Sequence, residues 1–151
     1  MTSKHTNILV TGATGFLGAR IIETLIPLEG LFISSAVRSQ FAKALGNKVF
    51  IDTLDKDTDW SSALKDQNVI IHSAALAHGK VDKNVGKPTS QYISVNVHGT
   101  LNLARQAAAA GVQRFIFISS IGVNGNINIR PFTEGDAPHP AELYAQSKWE
   151  A

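Results

Sequence analysis

Short apolar runs alternate with amphipathic stretches along this chain. The runs have the length and composition of buried β-strands, and they cover residues 8–11, 31–37, 48–51, 69–72 and 114–119. Helices are predicted between and after them, at residues 16–26, 41–45 and 60–64, from 89 or 90 to 110, and from 143 onward. Strands that alternate with helices predict right-handed βαβ units and a parallel sheet.

We therefore expect an α/β fold with a Rossmann-type, doubly wound parallel sheet in strand order 3-2-1-4-5. The order of such a sheet reverses between strands 1 and 4, and ligands bind at the carboxyl ends of the strands there.

The length of 151 residues is that of one domain, residues 1–151. Gly111 is well placed as a helix C-terminal cap, and residues 78–88 are polar and are expected to form a mobile loop.

The turn after the first strand carries the clearest signal for a ligand. Gly12, Gly15 and Gly18 follow the apolar run and precede a helical pattern. Gly12 permits a sharp turn, Gly15 leaves room for a pyrophosphate, and Gly18 allows close helix–strand packing. Free N–H groups and the positive end of the helix dipole then face the phosphates. This arrangement predicts a dinucleotide site, although its glycine spacing has one residue more than the usual pattern.

Small residues follow the fourth strand at the expected crevice. Ala74, Ala75 and Ala77 suit a wall against which a nucleotide lies, and they equally suit helix–sheet packing. His72 lies inside the preceding apolar run, so we expect a packed core histidine rather than a ligand.

The composition excludes several classes of protein. Hydrophobic residues make up 44% of the chain and charged residues 17%, as in a globular protein, and there is no cysteine for disulfides or thiolate metal sites. No spacing predicts zinc. The net charge is only +2 and the basic residues are scattered, so nucleic acid is not an expected partner. No apolar run has the length of a membrane span and no signal-peptide pattern opens the chain, so we expect a cytoplasmic protein without a membrane partner.

The last predicted helix carries candidate catalytic groups. Tyr144 and Lys148 are four residues apart and share a helix face. A nearby ammonium and an oxidised nicotinamide would lower the pKa of the phenol, which could then exchange a proton with an alcohol or ketone during hydride transfer. Ser119 and Ser120 end the fifth strand at the same crevice, where Ser120 could hydrogen-bond the reacting oxygen.

Five segments in order resemble one family. They are residues 11–18, 71–75, 96–100, 117–120 and 144–148. Together they resemble the extended short-chain dehydrogenase/reductases, the NAD-dependent epimerase/dehydratase family, over essentially the whole chain. Residues 96–110 and 58–60 look most like bacterial nucleotide-sugar 4-epimerases and 4-ketosugar reductases.

The resemblance implies a role for each matching position. Tyr144 is the catalytic acid/base, Lys148 holds the nicotinamide ribose and lowers the tyrosine pKa, and Ser120 is the catalytic hydroxyl. The implied cofactor-binding residues are Gly12, Thr14, Gly15, Phe16, Leu17, Gly18, Arg38, Thr53, Leu54, Ala74, Ala75, Ala77, Asn96, Ser119, Tyr144 and Lys148. Asn96 would support the site from the long helix. A nucleotide sugar is the implied substrate, and a homodimer is the implied assembly.

The sequence departs from the family pattern at the adenosine end of the site. Val37 and Arg38 stand where an acidic residue would bind the ribose diol, and an arginine suits the 2′-phosphate of NADP. We therefore expect NADP ahead of NAD. Thr53 takes the place of an aspartate that contacts adenine, so either Asp52 or Asp55 substitutes for it or the contact is lost.

Family members are much longer than the 151 residues of this sequence. We therefore expect the substrate-binding part to be absent from these residues, with weak cofactor binding and little or no catalysis. The alternatives for the whole protein are an NADPH-dependent carbonyl reductase of the steroid or flavonoid type and a non-catalytic NADP-binding redox sensor. A sensor would not need Tyr144, Lys148 and Ser120 together.

Overall fold

A single parallel sheet forms the centre of the protein in a computed structural model, which describes residues 5–77 and 88–151. Its strands are β1 (Thr6–Thr11), β2 (Leu31–Val37), β3 (Asn47–Phe50), β4 (Val69–His72) and β5 (Arg114–Phe117). They lie in the order β3-β2-β1-β4-β5. The predicted Rossmann-type order is therefore confirmed, with its reversal between β1 and β4.

Helices connect the strands. They are α1 (Phe16–Leu25), α2 (Ser61–Leu64), α3 (Pro88–Tyr92), α4 (Thr100–Ala109) and α5 (Leu143–Glu150), with a 3₁₀ turn at Ile121–Val123. A π-helical segment, Ile93–Gly99, joins α3 to α4. No helix in the two described ranges is long and apolar enough to cross a membrane.

The central strand β1 divides its side chains between two cores because successive strand residues point to opposite faces. Leu9 packs on one face with Trp60 and Leu103, while Val10 packs on the other face with Ile22. Both faces of the sheet are thus covered, as the continuous apolar run of the first strand predicts.

Three elements differ from the sequence prediction. Residues 41–45 form no helix. Their large side chains Phe41 and Leu45 are 83% and 54% exposed, and the small Ala42 and Ala44 supply the contacts with the core, which is little packing to stabilise so short a helix. Strand β5 ends at Phe117 rather than at residue 119. The long helix has the π-helical segment in its middle, and the predicted loop at residues 78–88 lies, except for Pro88, outside the described residues.

Gly111 behaves as predicted for the residue after a helix C-terminus. Its φ is +79°, a left-handed conformation that glycine adopts without strain, and it directly follows the C-cap Ala110 of α4.

Candidate functional site

The glycine turn between β1 and α1 packs directly on the chain that leaves β4. Gly12 has a φ of +70°, and a Cβ there would lie 2.7 Å from the Ala74 nitrogen. A Cβ on Gly18 would lie 2.2 Å from the Gly12 oxygen. Larger side chains at either position would separate the turn from the β4 loop or from α1, so these two glycines are needed for packing.

Gly15 differs from the other two glycines. It precedes α1 in an extended conformation, with a φ of −80°, and its N–H donates to the Gly12 oxygen at 2.9 Å. A Cβ at Gly15 would meet only that oxygen, at 3.2 Å. The backbone conformation of Gly15 therefore suits any residue, but a side chain here would require the Gly12 oxygen to move by a few tenths of an ångström.

A crevice of about 310 Å³ opens at the carboxyl ends of β1, β2, β3 and β4. Its lining consists of Thr11, Gly12, Thr14, Gly15, Ala36, Val37, Arg38, Ile51, Leu54, Ser73, Ala74, Ala75, Leu76 and Val95. This is the place that the strand order predicts for a ligand.

Seven of the residues predicted to bind the cofactor line this crevice together. They are Gly12, Thr14, Gly15, Arg38, Leu54, Ala74 and Ala75. Phe16 is 97% exposed and Leu17 44% exposed, so their side chains point outward. The Thr53 hydroxyl is bound to the Asp55 carboxylate at 2.5 Å, and neither Thr53 nor Ala77 is part of the lining.

Several lining residues were not predicted from the sequence. Ile51 and Ser73 directly follow strands β3 and β4, so their position after an apolar run was a usable signal. Leu76 and Val95 come from a loop and from the π-helical segment, and no local pattern marks them.

His72 is fully buried at the end of β4 beside the crevice. Its Nδ1 lies 2.7 Å from the Thr11 hydroxyl and its Nε2 lies 2.9 Å from the Thr100 hydroxyl. Burial, with a smaller effect of the Lys148 charge, lowers the pKa of His72 to about 3. The ring is therefore neutral at physiological pH, in line with its interpretation as a core histidine.

Lys148 on α5 is only 3% exposed. Its ammonium lies 3.9 Å from the centre of the Phe117 ring, a cation–π contact at the end of β5. Burial lowers the pKa of Lys148 to about 8. The side chain therefore remains mostly charged at neutral pH, although it lies in an apolar environment.

Tyr144 begins the same helix and is half-buried. Its ring packs edge-on against Tyr92, with 6.4 Å between the ring centres. Burial raises the pKa of Tyr144 above 10, and Tyr92 adds to the effect. The lowering of this pKa that was expected from Lys148 is not found, because desolvation disfavours the phenolate and the Lys148 ammonium packs on Phe117.

The two candidate serines lie just beyond β5. Ser119 is exposed, whereas the Ser120 hydroxyl accepts a hydrogen bond from the Gly122 N–H at 3.2 Å and caps the 3₁₀ turn. A Cβ on Gly122 would lie 3.4 Å from the Ala145 Cβ, so this turn packs closely on α5. The fold thus holds Ser120 near the first turn of the Tyr144 helix.

Asn96 projects from the π-helical segment into the interior and is 1% exposed. Its amide oxygen accepts from the Leu76 N–H at 2.7 Å, and its nitrogen donates to the Leu76 oxygen at 3.0 Å and to the Ser147 hydroxyl at 2.9 Å. Asn96 therefore links a wall of the crevice to α5.

Three known proteins that are similar to this chain are named as nucleotide-sugar epimerases or are solved with a nucleotide sugar. The chain is 41% identical over 147 residues to a UDP-glucose 4-epimerase of Vibrio cholerae, covering 96% of this chain and 44% of that protein. The structure matches UDP-glucuronic acid 4-epimerase from Bacillus cereus in complex with UDP-glucuronic acid and NAD, with a TM-score of 0.79 and 25% identity over 96% of this chain and 49% of the other. It also matches MoeE5 in complex with UDP-glucose and NAD, with a TM-score of 0.78 and 26% identity over 95% of this chain and 46% of the other.

The chain thus spans about half the length of these relatives. The match to a protein family extends over residues 8–151, which includes the glycine turn, the crevice and α5. This chain belongs to the NAD dependent epimerase/dehydratase family.

Proposed function

We propose that this chain is the cofactor-binding part of an NAD(P)-dependent nucleotide-sugar 4-epimerase or 4-ketosugar reductase. The observation that carries the proposal is the crevice at the ends of β1 and β4, whose wall at Leu76 is joined through Asn96 to the helix of Tyr144 and Lys148. A cofactor site and a proton-transfer group are thereby held together in one structural unit.

The residues of the crevice fit a dinucleotide. Gly15 carries no side chain beside the start of α1, so phosphate oxygens can approach the backbone N–H groups of the first turn of that helix. Ala74 and Ala75 provide a flat wall for a nucleoside. When bound, a nicotinamide cofactor supplies the hydride donor or acceptor for the reaction.

NADP is proposed ahead of NAD because of the position of Arg38. This residue lines the crevice immediately after β2, and no carboxylate occupies the end of that strand. A guanidinium binds a phosphate through paired hydrogen bonds, whereas a ribose diol is normally held by an acidic side chain. The similar structures named above contain NAD, so NAD is the alternative cofactor.

Tyr144 is proposed as the acid/base at the C4 oxygen of the sugar. At neutral pH it holds its proton, since burial raises its pKa, and it is ready to protonate a 4-keto group. Lys148 lies one turn further along α5, where its charge can stabilise the phenolate that forms. Ser120 is proposed to hydrogen-bond the same sugar oxygen.

The proposed substrate is a UDP-linked sugar, because similar proteins are solved with UDP-glucuronic acid or UDP-glucose. We further propose a homodimer that pairs through residues 89–110 and the helix from residue 143. Leu101, Ala104 and Ala108 keep part of α4 apolar and incompletely buried, which is compatible with such pairing.

Cofactor binding is the first test. The chain is titrated with NADPH and with NADH while the nicotinamide fluorescence is followed. We expect tighter binding of NADPH. Arg38→Gln should lower the ratio of the NADH Kd to the NADPH Kd at least about tenfold, because a charge-assisted phosphate contact is lost. Arg105→Gln, which changes an exposed arginine of α4, is the matched control. Tighter binding of NADH by the parent protein would overturn the NADP assignment.

Turnover is the second test, on this chain and on any longer form of the same protein. A UDP-4-keto sugar is supplied with NADPH, and UDP-glucose with NAD, and the sugar products are identified by NMR. Tyr144→Phe should lower turnover about 100-fold or more while cofactor affinity is retained. Tyr92→Phe, which changes the neighbouring tyrosine, should retain turnover. Equal activity of Tyr144→Phe and the parent would contradict the proposed mechanism.

A further inference from the structure

Ser147 carries a buried hydroxyl that has no part in the proposed chemistry. It lies on α5 between Tyr144 and Lys148 and is 1% exposed. Its Oγ donates to the Tyr144 carbonyl oxygen at 2.7 Å and accepts from the Asn96 amide nitrogen at 2.9 Å. Both hydrogen-bonding capacities of the hydroxyl are therefore used inside the protein.

The bond from Asn96 distinguishes Ser147 from an ordinary helical serine. Serine in a helix commonly bonds back to a carbonyl of the preceding turn, which requires nothing from outside the helix. Here the same oxygen also receives one N–H of Asn96, a residue 51 positions earlier in the chain. The contact joins α5 to the π-helical segment Ile93–Gly99, and such segments occur frequently at functional sites.

Asn96 continues the connection to the crevice. The other N–H of its amide group donates to the Leu76 oxygen, and its own oxygen accepts from the Leu76 N–H. The three groups of this amide are thus all bonded, which orients the side chain uniquely. Since Leu76 lines the crevice, a continuous path of hydrogen bonds runs from the crevice wall to the backbone of Tyr144.

We propose that Ser147 is a positioning residue that fixes the first turn of α5 against the wall of the crevice. Through Asn96, its hydroxyl keeps the Tyr144 backbone and the Leu76 wall in one relative position. This inference rests on the proposed function only in taking the crevice as the cofactor site and Tyr144 as the acid/base. Buried hydrogen bonds suit this role because few competing water molecules reach them.

Amide hydrogen exchange of Ser147→Ala tests the connection directly, without any ligand. Loss of the hydroxyl leaves one Asn96 N–H without its acceptor, so Asn96 should hold the Leu76 N–H less firmly. We expect the Leu76 amide to exchange about tenfold faster, the effect of weakening one buried hydrogen bond. Ser35→Ala is the matched control, because the Ser35 hydroxyl is equally buried and donates to the Leu45 carbonyl at 2.6 Å. That control should leave Leu76 unchanged.

Cofactor affinity gives the functional readout. Ser147→Ala should weaken NADPH binding about fivefold, since the crevice wall is less ordered before binding, whereas Ser35→Ala should not. Faster exchange confined to α5, with Leu76 and NADPH binding unchanged, would overturn the proposal. Failure of the parent chain to bind either dinucleotide would instead contradict the proposed function. The exchange experiment would still show whether Ser147 is connected to Leu76 through Asn96.

A second variant covers the case in which Ser147→Ala does not fold. Ser147→Cys keeps the site filled but replaces the hydroxyl with a weak hydrogen-bonding thiol, so it should reproduce the faster exchange of Leu76. If both variants fail to fold, the hydroxyl is required for the fold as a whole, and the positioning role is wrong.

Discussion

His72 joins three elements of the fold through one neutral imidazole. Its two ring nitrogens contact Thr11 at the end of β1 and Thr100 at the start of α4. The ring also stacks on Phe117, with 5.9 Å between ring centres, and Phe117 carries the Lys148 ammonium on its face. A charge on His72 would thus be placed in a dry site near another cation, which is why its pKa is so low.

Acid should destabilise the protein through this histidine. The pKa of His72 is about 3 in the folded state and about 6.5 when unfolded. Between these values the unfolded chain binds the proton and the folded chain does not. The free energy of unfolding should therefore fall as the pH drops from 6.5 to 3, by up to about 1.4 kcal/mol per pH unit from this group. Urea unfolding from pH 7 to pH 4 measures this slope.

The variant His72→Gln separates this effect from other titrations. It should be less stable than the parent at pH 7, but its stability should depend less steeply on pH. His98→Gln, which changes an exposed histidine, is the matched control. Identical slopes for the parent and His72→Gln would rule out His72 as the source.

At the scale of elements, α4 holds the loop between β3 and α2. The Gln106 side chain accepts from the backbone N–H of Trp60 at 2.9 Å and donates to the Thr58 carbonyl at 2.8 Å. Asn102, one turn earlier, donates to the carbonyls of Thr58 and Asp55 at 2.8 and 3.1 Å. These bonds satisfy backbone groups of a loop that has no strand or helix of its own.

Gln106→Ala should destabilise the protein by about 1–3 kcal/mol, because it leaves the Trp60 backbone N–H without its partner and removes one of the two hydrogen bonds to the Thr58 carbonyl. Urea unfolding measures the loss, and amide exchange at Trp60 shows whether the loop is loosened. Gln113→Ala, which changes an exposed glutamine, should stay within about 0.5 kcal/mol of the parent. Equal stabilities of the two variants would show that the hydrogen bonds of Gln106 contribute nothing to the free energy of unfolding.

The sequence predicted those elements whose own residues determine them. The bounds of β2 and β4 and the strand order follow from apolar runs that are buried whichever loops surround them. The π-helical segment was not predictable, because it contains Asn96, whose partners Leu76 and Ser147 are distant in the chain. Local propensity cannot report contacts of this kind.

The same distinction applies to the site. Gly12 and Arg38 were predicted because they directly follow strands that end at the crevice. Leu76 lies at the crevice because of the course of the loop after β4, and Val95 because of the π-helical segment that contains it. The roles of Tyr144, Lys148 and Ser120 remain predictions, of which the Tyr144→Phe variant described above tests the first.

At the scale of the whole molecule, the crevice is built from segments that lie far apart along the chain. Its lining comes from the glycine turn, from the ends of β2 and β3, from the loop after β4 and from the π-helical segment. These parts meet only in the folded chain. A ligand that contacts all of them therefore binds the folded state alone, and its binding free energy adds to stability.

NADPH should accordingly raise the melting temperature of this chain. At a concentration about 100 times its Kd, a ligand specific for the folded state adds about 2.7 kcal/mol, which corresponds to a rise of several degrees for a domain of this size.

Gly15→Ala supplies the sharpest comparison. Its extended backbone suits alanine and the methyl group has one close contact, 3.2 Å from the Gly12 oxygen, so the variant should lose much less stability than Gly18→Ala. The methyl group would nevertheless occupy the space beside the phosphates, and the rise with NADPH should shrink. Gly18→Ala should instead lower the melting temperature without ligand, since its Cβ would lie 2.2 Å from the Gly12 oxygen. An undiminished NADPH effect in Gly15→Ala would mean that the phosphates do not approach this glycine.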